Sequence, residues 1–112
     1  MQYMLLVYDD PNAWPEFSEE EYGKVYAEYA AVSQLANTKH SAQLQGTETA
    51  RSVRVKDGER VVTDGPFADT KEVLGGYYLV EADSQAEAEE IAAQIPSARL
   101  GGTIEVRPVV EM

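Results

Sequence analysis

Cysteine is absent from the 112 residues, and histidine occurs once, at His40. No disulfide framework, thiolate nucleophile or Cys-ligated metal is therefore available, and one imidazole cannot build a His cluster. No metal or cofactor is expected, since carboxylates without such companions make at best a weak hard-cation site. Positive charge is scarce as well: nine Lys and Arg stand against twenty Asp and Glu, a formal charge of −11. Such a chain repels phosphate, so neither nucleic acid nor an anionic membrane is an expected partner. Long apolar runs are also missing. The stretch Met1 to Tyr8 lacks a basic flank and is too short for a signal core or a membrane span, which leaves a cytoplasmic location as the expectation.

What is present fits an ordinary globular domain: 44% hydrophobic and 26% charged residues. The length suits a single domain over residues 1–112. A domain of this size buries only about two-thirds of its unfolded surface, so a second subunit would add stability.

The run at about 3–8 reads as a strand closed by Asp9-Asp10-Pro11-Asn12. Tyr3, Leu5 and Val7 face one way and Met4, Leu6 and Tyr8 the other, so both faces are apolar and both need cover. Ser18 and Glu21 have capping-box spacing, Phe17 can staple onto Tyr22, and Tyr22, Val25, Tyr26 and Tyr29 follow at helical intervals to about Leu35. The tyrosines of this helix are expected to lie mostly in the core. A short strand is placed near 42–46. Asp57-Gly58, between Ser52–Lys56 and Glu59–Thr63, predicts a two-residue hairpin that opposes Lys56 to Glu59 and Val53 to Val62.

Asp64-Gly65-Pro66-Phe67 breaks the second hairpin strand. Asp69-Thr70-Lys71-Glu72 is expected to cap one helical turn ended by Gly75-Gly76. Tyr77 to Val80 is a second doubly apolar strand, and Ser84 with Glu87 opens a second helix that ends at Pro96. The last strand spans Thr103 to Val109, with Pro108 marking an edge or frayed end. This order predicts an α+β ferredoxin-like sandwich with a largely antiparallel sheet. Two helices cover one sheet face only, so the other calls for a second copy through a two-fold axis.

Asp64-Gly65-Pro66-Phe67, followed by Ala68 to Glu72 and then Leu74-Gly75-Gly76-Tyr77-Tyr78-Leu79, resembles the signature of the DGPF branch of the YCII-related proteins. Tyr3-Met4-Leu5-Leu6 and Ile104-Glu105-Val106-Arg107-Pro108-Val109 are similar to the two ends of that family, so the likeness spans the chain. The resemblance implies a dimeric α+β barrel, two ferredoxin-like units closing their sheets face to face. Some members of the branch are encoded beside extracytoplasmic-function sigma factors, and some in the wider group are credited with chemistry such as dehydrohalogenation. Relatives are proposed to use a His–Asp pair with the histidine on the first helix, where this chain offers Tyr22, Tyr26 and Tyr29 instead.

Among single residues, Asp64 is the candidate catalytic base, held at a strand end beside a Gly-Pro turn; an Asx-type turn is its bland alternative. Asp9 and Asp10 would pair with Asp64 if the loops converge, or else serve as solvated turn formers. Trp14 is a candidate lid over a ligand or anchor against a partner. Tyr26 and Tyr29 can direct hydroxyls into a cleft. Phe67 is expected as a core anchor or a pocket wall, and His40 as an exposed residue. Arg54 and Arg107 are candidates for binding an anion or pairing with surplus Glu. The functional expectation is a homodimeric small-molecule-binding protein or enzyme with its pocket between the first helix, the DGPF loop and the sheet. The alternative is a non-catalytic accessory or signalling module, associated with a sigma factor.

Overall fold

Residues 1–68 and 70–111 are described by the structure, a computed structural model. The apolar alternation at the start of the chain runs as β1 (Gln2–Asp9), and α1 (Glu19–Ser33) follows. Both capping-box bonds form: the Glu21 N–H donates to Ser18 Oγ at 3.1 Å, and the Ser18 N–H donates to Glu21 Oε1 at 3.1 Å. Two of the orphan donors at the helix start are thereby satisfied. Phe17 packs edge-on against Tyr22 with centroids 5.3 Å apart, fixing the angle at which the chain enters the helix.

β2 (Thr38–Gln43) begins earlier than the pattern near 42–46 predicts. Its sequence, Thr-Lys-His-Ser-Ala-Gln, carries no apolar alternation, and it is a strand because it pairs with β5 at the edge of the sheet. β3 (Arg51–Lys56) and β4 (Glu59–Asp64) form the hairpin, with Lys56 opposite Glu59 and Val53 opposite Val62. Asp57 at φ 52° and Gly58 at φ 79° supply the two positive angles that such a turn requires. No helical turn forms over Thr70–Glu72, and Asp69 lies outside the described residues. Instead β5 (Val73–Glu81) starts directly, with Gly75 and Gly76 inside it. A Cβ on Gly76 would lie 2.8 Å from the Ala42 carbonyl oxygen, so the pair serves strand approach rather than termination. α2 (Gln85–Ala93), capped by Ser84, gives way to a 3-10 turn at Pro96–Ala98, and β6 (Thr103–Pro108) closes the chain.

The main sheet is antiparallel with strand order β2-β5-β1-β6, the ferredoxin-like arrangement, and the hairpin β3-β4 stands apart as a second sheet. One face carries the core: Tyr3, Leu5 and Val7 of β1 and Tyr78 and Val80 of β5 pack with Val32 of α1 and with Ala88, Ile91 and Ile95. Burying each large aliphatic side chain contributes about 1.5–3 kcal/mol. On the opposite face Met4, Leu6, Tyr77 and Leu79 are only half-covered.

Two expectations are corrected here. The tyrosines of α1 are not mostly core, since Tyr22 and Tyr26 are exposed and only Val25 and Val32 of that helix are buried. Their phenols lean instead towards the Trp14 loop, where ring edges and faces replace aliphatic packing. Phe67 is not a core anchor: its ring is 79% exposed beneath the Arg54 guanidinium, which sits 5.2 Å from the centroid. The ring follows β4 of the separate hairpin, outside the buried core cluster.

Candidate functional site

The loop after β1 folds back across the start of α1, and Trp14 lies parallel to Tyr29, with centroids 6.5 Å apart and planes 10° apart. Between this corner and the β2 and β5 strands lies a cavity of about 410 Å³, within the usual range for small-ligand sites. Trp14, Tyr26, Tyr29, Tyr77 and Tyr78 line it together with Asp9, Ser33, Ser41 and Gln43. Among the described residues no Lys, Arg, His or Glu lines it, and Asp9 is its one charged side chain.

Asp9 ends β1, where a register shift between Val7 and Tyr8 in the pairing with β5 breaks the alternation and re-aims the side chains beyond it. Its Oδ1 is buried and, among the described residues, has no hydrogen-bond partner. Two glycines leave the carboxylate its room. A Cβ on Gly75 would stand 3.1 Å from Oδ2, and one on Gly102 would stand 3.3 Å from Oδ1 and closer still to the Tyr8 carbonyl oxygen. A buried carboxylate oxygen without a donor is costly, so this end of the carboxylate calls for an ordered water or another donor.

Around the carboxylate the phenols are held as neutral hydroxyls. Tyr29 shares a 2.6 Å hydrogen bond with the fully buried Ser97 Oγ, and Tyr78 Oη donates to the Tyr29 carbonyl oxygen at 3.1 Å. Burial pushes the Tyr29 phenol above its ordinary value, the Ser97 hydrogen bond pulls against this, and the Asp9 charge adds to the rise. Tyr78 is pushed up to about 12, chiefly by burial and secondarily by Tyr29. Aromatic faces, hydroxyl groups and one uncompensated carboxylate can together bind a small ligand, orient it, and accept a proton from it.

The residues singled out from sequence are divided by the fold. Trp14, Tyr26 and Tyr29 line this cavity. Asp10 is buried but occupied: its Oδ1 accepts the Asn12 N–H at 3.0 Å, and its Oδ2 lies 3.5 Å from Lys71 Nζ. Asp64 sits at the end of β4 with its side chain 95% exposed, 3.3 Å from Arg51 Nε, and does not line the cavity. Phe67 and Pro66 border a second cavity of about 530 Å³ at the base of the hairpin, with Tyr8, Leu44 and Leu74 opposite. His40 is exposed on β2, and its Nδ1 is 2.9 Å from Tyr77 Oη. Arg107 pairs with Glu105 at 3.6 Å. Ser97, Ser33 and Ser41 carry no signal in the sequence, since lone serines in a turn, at a helix end or in a polar strand look like any others.

A match to the YCII-related domain covers residues 1–112. An uncharacterized protein of Rhizobium meliloti strain 1021 is 36% identical over 114 aligned residues, which cover 97% of this chain and 92% of that protein. The chain belongs to the YCII-related family.

Proposed function

We propose that this YCII-related chain binds a small molecule in the cavity between α1 and the β2-β5 side of the sheet, and that it does so as a homodimer. The observation that carries the binding reading is the Asp9 carboxylate at the edge of an aromatic-lined cavity, next to Gly75, with no Lys, Arg or His beside it among the described lining residues. In this reading Trp14, Tyr26 and Tyr29 are the binding walls, the Tyr29 hydroxyl is a fixed polar contact, and Asp9 is the acid–base group if a reaction is catalysed. Asp64 would serve the hairpin through its pairing with Arg51. The second cavity, bordered by Phe67, is the place where the DGPF-like loop would meet a ligand or a partner.

Shape and surface support the dimer. The chain measures 47 × 41 × 19 Å with a radius of gyration of 15.9 Å, against about 13 Å for a compact domain of this length. Its accessible surface is 7898 Å², against roughly 6,100 Å² for a monomer of its mass. The surplus is large enough for one side of a stable interface, and the half-covered Met4, Leu6, Tyr77 and Leu79 face is the surface best suited to form it. A second reading, a non-catalytic module that works by protein contact, is favoured by the exposed Val53, Val55 and Phe67 of the hairpin region.

Trp14 is the single tryptophan and lines the cavity, so its fluorescence reports occupancy. A thermal-shift screen of small aromatic, amine and carboxylate compounds is expected to give hits that also change Trp14 emission. Those hits should bind Asp64→Asn as well as the parent protein. Hits that stabilise the fold without touching Trp14, or that depend on Asp64, would move the site to the hairpin.

A further inference from the structure

We propose that the cavity takes a small organic cation, an aryl or alkyl ammonium ion, paired with Asp9 and walled by aromatic faces. This rests on the binding reading above and names its ligand class. Three observations point the same way. Among the described residues Asp9 is the only Asp, Glu, Lys, Arg or His lining the cavity, and its Oδ2 lies beside Gly75, another lining residue. Two basic side chains are engaged with other carboxylates: Lys71 lies with Asp10, and Arg99 makes a two-pronged contact to Glu28 at 2.7 and 2.8 Å. The walls include Trp14, Tyr26 and Tyr29, and aromatic rings attract a cation by their quadrupoles, most strongly where water is thinned out.

An anionic ligand would meet the Asp9 charge with no cationic side chain among the lining residues to offset it, in a chain whose formal charge is −11. A neutral apolar ligand would fill the aromatic space and leave the carboxylate charge without a partner. An ammonium group supplies both the N–H donors and the missing positive charge. The approach is not obstructed by the sheet, because Gly75 presents no side chain beside Oδ2.

The test is a series on one ring with three charges: benzylamine, benzyl alcohol and benzoate, titrated against the full-length protein at neutral pH and read by Trp14 fluorescence and thermal shift. Benzylamine is expected to bind at least about tenfold more tightly than benzyl alcohol, a gap of about 1.4 kcal/mol, and benzoate to bind weakest. Asp9→Asn should erase the preference for benzylamine while leaving benzyl alcohol within about twofold of its parent affinity. Tyr26→Leu, at an exposed wall position, should weaken benzylamine more than benzyl alcohol. If benzyl alcohol or benzoate binds as tightly as benzylamine, the cation assignment falls and the cavity stands. If no probe of any charge perturbs Trp14, both fall.

Discussion

Gly75, the β5 residue skipped at the register shift with β1, lies against Asp9: a Cβ on the glycine would come within 3.1 Å of the carboxylate Oδ2. The neighbouring Gly76 has a different constraint, since its Cβ would lie 2.8 Å from the backbone oxygen of Ala42. A side chain can yield by a few tenths of an ångström where a paired strand cannot. Gly76→Ala is therefore expected to cost about 1–3 kcal/mol by forcing β2 away from β5, and Gly75→Ala less than about 1 kcal/mol. Urea unfolding of both variants decides it, and equal losses would mean that the two glycines do the same job.

Tyr29 and Ser97 make the short hydroxyl contact beneath the cavity, 2.6 Å between oxygens. Tyr29→Phe leaves the fully buried Ser97 hydroxyl without that partner, an expected loss of about 1–3 kcal/mol. Ser97→Ala in the same protein removes the stranded group, so the double variant should be more stable than the sum of the two losses predicts. A double-mutant cycle by denaturant titration measures the difference; additive losses would show that the bond contributes little.

Much of this architecture is legible in the sequence because the responsible residues act locally. Ser18 and Glu21 are three apart and satisfy each other, and Asp57-Gly58 dictates a turn whatever surrounds it. The doubly apolar β1 and β5 likewise follow from alternation alone. What escapes depends on neighbours distant in sequence. β2 is polar but for Ala42 and exists through β5, and Gly75-Gly76 resembles a stop signal until the strands that press on it are known. Asp9 and Asp10 are chemically identical and adjacent. Lys71, far along the chain, pairs with Asp10, while Asp9 faces the cavity. Residue type alone places Phe67 in the core, but a core position also requires a covering layer, and this ring is exposed.

Glu21 gives stability a local pH dependence. Its carboxyl is held below its ordinary value, first by the hydrogen bond from the Ser18 backbone, then by the Ser18 side chain, with a smaller pull from Lys24. A depressed carboxyl contributes stability that is fully present above its unfolded value and is lost as pH falls through the lower folded value. Glu21→Gln should therefore melt below the parent protein at pH 7, and the gap should close on acidification below about pH 4. Melting curves of the two proteins from pH 7 to about pH 3 check this. A gap that widens in acid would reverse the sign and remove Glu21 from the account.

Leu6 lies opposite Tyr77, and Met4 opposite Leu79, on the sheet face away from the core cluster, where all four are only half-covered. Placing a charge in the middle of this patch leaves the core face untouched, because Tyr3, Leu5 and Val7 point the other way. Light scattering coupled to size exclusion is expected to give twice the 12.3 kDa chain mass at micromolar concentration. Leu6→Glu should give the single-chain mass while keeping the far-ultraviolet spectrum of the parent, since burying an unpaired carboxylate between two sheets is far more costly than leaving it in water. A parent protein that is monomeric under these conditions would sink the face-to-face dimer. A Leu6→Glu variant that stays dimeric would move the interface away from this face, with the exposed valines of the hairpin as the next surface to test.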